Sequence, residues 1–156
     1  MATPNPFLHA GFLSELEQFV ASGIRPMALP PALACILLTK HDGLATPAAM
    51  HLSQLLHSRK ALLQAAHQTE LVADELRRYQ KFARPGRPSP HIVQLRQQQA
   101  AARQASSQSR QALIKAATAF VREAGIALPQ RTVLEVFITG WMEANVPKDV
   151  VDPGRG

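Results

Sequence analysis

From position 46 onward the apolar residues of this chain recur at intervals of three and four. Leu52, Leu55, Leu56, Leu62, Leu63, Ala66, Val72, Leu76 and Tyr79 form one stripe, the spacing of a single helical face. Thr46 and Pro47 precede it as a cap followed by a proline at the first helical position, where the missing N–H costs nothing. The pattern predicts a helix over about 47–82, roughly 50 Å long at 1.5 Å per residue. The stretch RPGRPSP at 84–90 stops it, because proline can neither donate to nor fit inside a helical turn. Ser89 and Pro90 then repeat the cap-and-proline signal and open a helix over about 90–124, ended by Gly125. Two helices of matched length joined by a short turn make a long antiparallel hairpin.

Shorter elements flank the hairpin. Asn5-Pro6 reads as a helix start, with Phe12, Leu16, Phe19 and Val20 at helical spacing and Gly23 as the stop. A second helix is expected from Pro30-Pro31 to near His41. Its Leu33, Ala34, Ile36, Leu37 and Leu38 leave so little polar surface that it should be the most buried element. After LPQR, Leu134, Phe137, Ile138, Trp141 and Met142 predict a helix within 130–145 that docks on the body. The expected architecture is one all-α domain over 1–145. It is a helical bundle with two short N-terminal helices (1–45), the hairpin (46–124), a C-terminal helix (130–145) and a mobile tail over 146–156. Abundant Ala, Leu and Gln with few aromatics support helices over strands.

Inside the second hairpin helix the heptad pattern changes character. Ile92, Gln99, Ser106, Leu113 and Phe120 share one seam position, and Leu95, Ala102, Ser109 and Ala116 the other. The ends of this seam are apolar and its middle is Gln, Ala and Ser, which permit close approach but bury little. Arg96, Arg103 and Arg110 flank it at seven-residue intervals, about 10.5 Å apart along the helix. Glu70, Asp74 and Glu75 are the acids that an antiparallel partner brings near Arg96 and Arg103, whereas Arg110 has no obvious local acid.

Charge sharpens this picture. The chain has 156 residues and a formal charge of +6, yet residues 76–122 contain no Asp or Glu. Ten of the 17 cations lie there: Arg77, Arg78, Lys81, Arg84, Arg87, Arg96, Arg103, Arg110, Lys115 and Arg122, leaving seven against all 11 acids elsewhere. A soluble surface ordinarily mixes its signs. Unmixed cations along an extended element are the electrostatic footprint of a nucleic-acid contact. The expected binding set is Arg77, Arg78, Lys81, Arg84, Arg87, Arg96, Arg103, Arg110 and Lys115, with Tyr79 and Phe82 interleaved near the turn. A solvated basic face is the plainer alternative. A second functional reading is a helical interaction module that oligomerises through the 90–124 helix, with the Gln/Ala/Ser seam as a subunit interface.

Catalytic chemistry finds no foothold. His51, His57 and His67 are six and ten residues apart and point in different directions, without the i,i+4 pairing of a helical zinc site. Cys35 is the single cysteine, set in LACILL, which predicts a small buried thiol and excludes an internal disulfide. No phosphate-binding, dinucleotide-binding or nucleophile-elbow motif occurs. The expectation is a non-enzyme without metal, cofactor or small-molecule substrate. No basic-then-apolar leader is present, and MALPPALACILL is too short to span a bilayer, so a cytoplasmic protein without membrane contact is expected.

Overall fold

The computed structural model describes residues 7–26, 29–40, 42–81, 86 and 89–149. Among these residues five helices follow one another: α1 (Ala10–Ser22), α2 (Pro31–Leu37), α3 (Pro47–Gln80), α4 (Pro90–Ala124) and α5 (Leu134–Asn145). Among the described residues there is no strand beyond one isolated bridge between Leu38 and Ala45. The chain is all-α and built on the α3–α4 hairpin, and none of its described helices is long and apolar enough to cross a membrane.

Local chemistry explains the helix ends. The Ser89 hydroxyl accepts from the Ile92 N–H at 3.2 Å, satisfying one of the orphan donors of α4. Gly125 closes α4 in the left-handed region (φ 69°), which a side chain would oppose, and its N–H reaches the Arg122 carbonyl. Thr46 stands at the start of α3, but its hydroxyl donates to the Ile36 carbonyl at 2.7 Å and so ties the α2–α3 loop instead.

Five expectations need correction. α1 begins at Ala10, not at Asn5-Pro6, a pair that lies outside the described residues. The reason is tertiary: Asp149 accepts from the Gly11 N–H at 2.9 Å and donates its own N–H to the Leu8 carbonyl at 2.6 Å. The 146–149 stretch is therefore docked, with Val146 buried and the Pro147 carbonyl 3.0 Å from His9 Nδ1. Residues 150–156, the rest of the expected tail, lie outside the described set. α2 stops at Leu37, because Thr39 turns the chain by accepting the Leu44 N–H on its hydroxyl. His41 lies outside the described residues. Nor is α2 the most buried element: only Leu33 and Leu37 are buried, and Cys35 is exposed. Two helical turns resting on α3 can cover one narrow face, and Cys35 is on the other.

The core is divided. The larger cluster joins α1, α2, α5 and the open end of the hairpin through Phe12, Leu16, Phe19, Leu55, Leu56, Leu113, Phe120 and Ile138. A second, at the turn, contains Val72, Leu76, Ile92 and Leu95 alone. Between them no α3 residue over 63–71 is buried, and Ala66, expected in the stripe, is exposed, as is Tyr79. On α4 the connecting seam is Gln99, Ala102, Ser106 and Ser109, of which only Ala102 is buried. The heptad frame holds along the whole of α4, since its buried residues all fall at seam positions or, for Ala117, beside one. α5 starts at Leu134 and rests on Ile138 and Met142, with Leu134, Phe137 and Trp141 half-buried. Trp141 meets Phe120 edge-on at 5.1 Å between ring centroids, a favoured aromatic geometry.

Candidate nucleic-acid interface

Because α3 covers the α4 seam, the direction of every α4 cation follows from its distance to that seam. Arg96, Arg103 and Arg110 each come one residue after a seam position, so they leave the helix on one flank, and all three are exposed. Lys115 is five residues beyond Arg110, which turns it about 140° further round the helix. Together with Arg122, one heptad on, it stands on the other flank. The helix thus carries one arginine line and a separate basic spot near its C-terminus.

Ion pairing distributes these cations in a way the sequence did not suggest. Arg110, for which no local acid was expected, lies with Nε 3.5 Å from Glu135 Oε1 on α5. Glu135 is in the first turn of α5, where the helix dipole also favours a carboxylate. Arg96 and Arg103, for which Glu70, Asp74 and Glu75 were the expected partners, make no ion pair among the described residues. Asp74 is instead taken by Arg77, three residues on in the same helix. The pairing seen only in three dimensions removes the arginine nearest α5 from the free line and leaves the two toward the turn.

The turn end is a second concentration of positive charge. Arg77 and Arg78 lie in the last turn of α3 and Lys81 just after it, all exposed. The negative end of the helix dipole accounts for part of their placement, since cations there stabilise a helix by about 0.3–1 kcal/mol. Arg84, Arg87 and Phe82 fall outside the described residues. Tyr79 is exposed but not free: its ring packs against His91 across the hairpin at 4.3 Å, with an interplanar angle of 68°. That contact makes Tyr79 part of the hairpin's closure near the turn.

Comparison with protein-family models, curated proteins and solved structures gave no match. The residues themselves therefore carry the functional reading.

A cleft of about 80 Å³ lies among Leu8, Arg59, Leu63, Thr139, Glu143 and Lys148, well below the roughly 300–1,000 Å³ of pockets that hold drug-sized ligands. Among the described residues no group of three His, Cys, Asp or Glu side chains is placed to hold a metal ion. His57 is engaged by Glu17 across α1 and α3.

Sequence reasoning missed two features of this surface. One is the Glu135–Arg110 pair, which bridges 25 positions and has no local signature. The other is a line of exposed glutamines, Gln97, Gln104 and Gln111, beside the arginines and also seven residues apart. The heptad count that singled out the arginines contains this second line as well.

Proposed function

We propose that this protein is a non-enzymatic nucleic-acid-binding accessory protein, acting in the cytoplasm as a small subunit of a nucleoprotein assembly. Its hairpin contacts the phosphate backbone without reading base sequence. The observation that carries this reading is the 76–122 segment, with ten cations and no acid. It is supported by Arg96 and Arg103, whose charge no described acid neutralises by an ion pair. Phosphate neutralisation releases condensed counterions, so such binding is steeply salt-dependent and tolerant of sequence.

The competing reading, oligomerisation through the 90–124 helix, required its Gln/Ala/Ser seam as a subunit interface. That seam faces α3 in the same chain, with Ala102 buried and Gln99, Ser106 and Ser109 half-buried. The backbone-binding reading does not need it.

Titrating purified protein against unrelated nucleic-acid probes between 50 and 200 mM salt tests the proposal. If about six phosphates are engaged, the log–log slope on duplex is near −5, and affinity falls about a thousandfold over that range. Replacing Arg77, Arg78, Lys81, Arg84 and Arg87 together by Gln should flatten the slope while the helical circular dichroism spectrum persists. No retention of single- or double-stranded probes at 50 mM salt would refute the reading.

A further inference from the structure

α5 covers one flank of the hairpin only as far as Arg110, where Glu135 meets it. Toward the turn no other described helix packs on the same flank of α4, over about 30 Å from Pro90 at 1.5 Å per residue. α5 docks by burying Ile138 and Met142 in the larger core. Beyond its first turn the accessible seam residues are Gln99, Ser106 and Ser109, all half-buried, while Ala102, Leu95 and Ile92 are already buried, so the seam offers no apolar floor to another helix. Charge and hydrogen bonding are what remain for recognition.

Three lines run along this free face, each with a period of seven. Arg96 and Arg103 form the first, Val93, Ala100 and Ser107 the second, and Gln97, Gln104 and Gln111 the third, every one exposed. They fall within an arc of about 100°. Lys115 and Arg122 stand about 140° and 120° round the helix from Arg110, and His91 about 140° from Arg96, so the contact of His91 with Tyr79 lies on the other flank. The α3 wall of the free flank carries Glu70, one heptad beyond Leu63, which lines the cleft beside α5.

We propose, resting on the nucleic-acid reading above, that the ligand is a duplex lying against this face of α4. Its phosphates sit on Arg96 and Arg103, and Gln97 and Gln104 donate to the same backbone. Single-strand binding draws about 1–3 kcal/mol per base from aromatic stacking, and this face holds no aromatic residue. A duplex needs only cations and polar donors against its backbone. A groove about 12 Å wide admits one helix, and α4 is sheathed by α3, so the hairpin rests on the backbone and does not enter the groove. At 3.4 Å per base pair the free 30 Å spans about nine base pairs, close to one turn of duplex. Glu70 repels phosphate from the α3 side and biases the ligand toward the glutamine line.

The test is fluorescence anisotropy of the full chain at 50 mM salt with a 20-base-pair duplex and with one of its strands alone. The duplex is expected to bind more tightly, and to weaken once shortened below about nine base pairs. R96Q/R103Q should lower the steepness of the salt slope by about 1.8, at 0.9 per lost phosphate contact, and R103Q alone by half of that. K115Q/R122Q should lower it by less than R96Q/R103Q does, and K40Q/K60Q, outside the acid-free segment, should leave it unchanged, with circular dichroism confirming the helical content of each variant. Tighter binding of the single strand, or an equal loss from K115Q/R122Q, overturns this assignment while the nucleic-acid reading stands. Binding of neither probe removes that reading and this inference with it.

Discussion

The two ends of the hairpin are made from the same pair of helices and held together differently. At the open end, α3 and α4 are joined by α1, α2 and α5 around Phe19, Leu55, Leu56, Leu113, Phe120 and Ile138. At the turn end they have only each other and four buried side chains, Val72, Leu76, Ile92 and Leu95. Each fully buried Leu, Ile, Val or Phe contributes about 1.5–3 kcal/mol, so the turn end gains several-fold less from burial. Most of a helix's stability in a protein comes from packing its apolar face. The open end therefore anchors the fold, and the turn end is the exposed arm that bears Arg77, Arg78, Lys81, Arg96 and Arg103. Charges on the thinly packed half can change without touching the main core.

The sharpest way to break this comparison is to remove one large side chain from each end. Phe120→Ala deletes a fully buried ring and should cost about 3–5 kcal/mol. For a domain of this size that lowers the melting temperature by on the order of 10 °C. Leu95→Ala should act locally, with faster amide hydrogen exchange near the turn and a smaller change in global melting. If both variants lower the melting temperature equally, the two clusters unfold as one unit and the division is wrong.

The polar middle of the seam gives a smaller effect of opposite sign. Gln99→Leu with Ser106→Leu would extend the apolar seam between the two clusters. Both sites are half-buried, so the pair should raise stability by about 1–3 kcal/mol. A lower melting temperature for the double variant would mean that the small residues are there to let the backbones approach, and that leucine overpacks the seam.

The smallest effect is expected where the ends of the chain meet. His9 makes no side-chain cap for α1, and Asp149 supplies the missing acceptor at Gly11. Asp149→Ala should destabilise by about 0.5–2 kcal/mol, the range for losing a helix cap. Asp149→Asn, which keeps an acceptor oxygen, should recover most of that loss. An alanine variant that melts like wild type would show the 146–149 contact to be without energetic weight.

How legible was the candidate site before folding? The flank shared by Arg96, Arg103 and Arg110 was readable, since a seven-residue period fixes a helix face whatever packs on it. Which of the three stays unpaired was not, because Arg110 finds its acid on α5. The reading of Cys35 failed for a related reason. An apolar neighbourhood in sequence identifies a buried helix only if neighbours surround it, and α2 touches one side.

Local chemistry, then, was determined by the sequence alone: five helices, the stops at Gly23 and Gly125, the Ser89 cap and the α4 heptad seam all depend on residues a few positions apart. The tertiary structure alone decided what depends on residues distant in the chain. Asp149 sets the start of α1, α5 stops beside Arg110, and the core divides where the 63–71 stretch of α3 meets only Gln, Ala and Ser. Spacing along a helix is a property of the backbone, whereas pairing and burial depend on which surfaces the folded chain brings within a few ångströms.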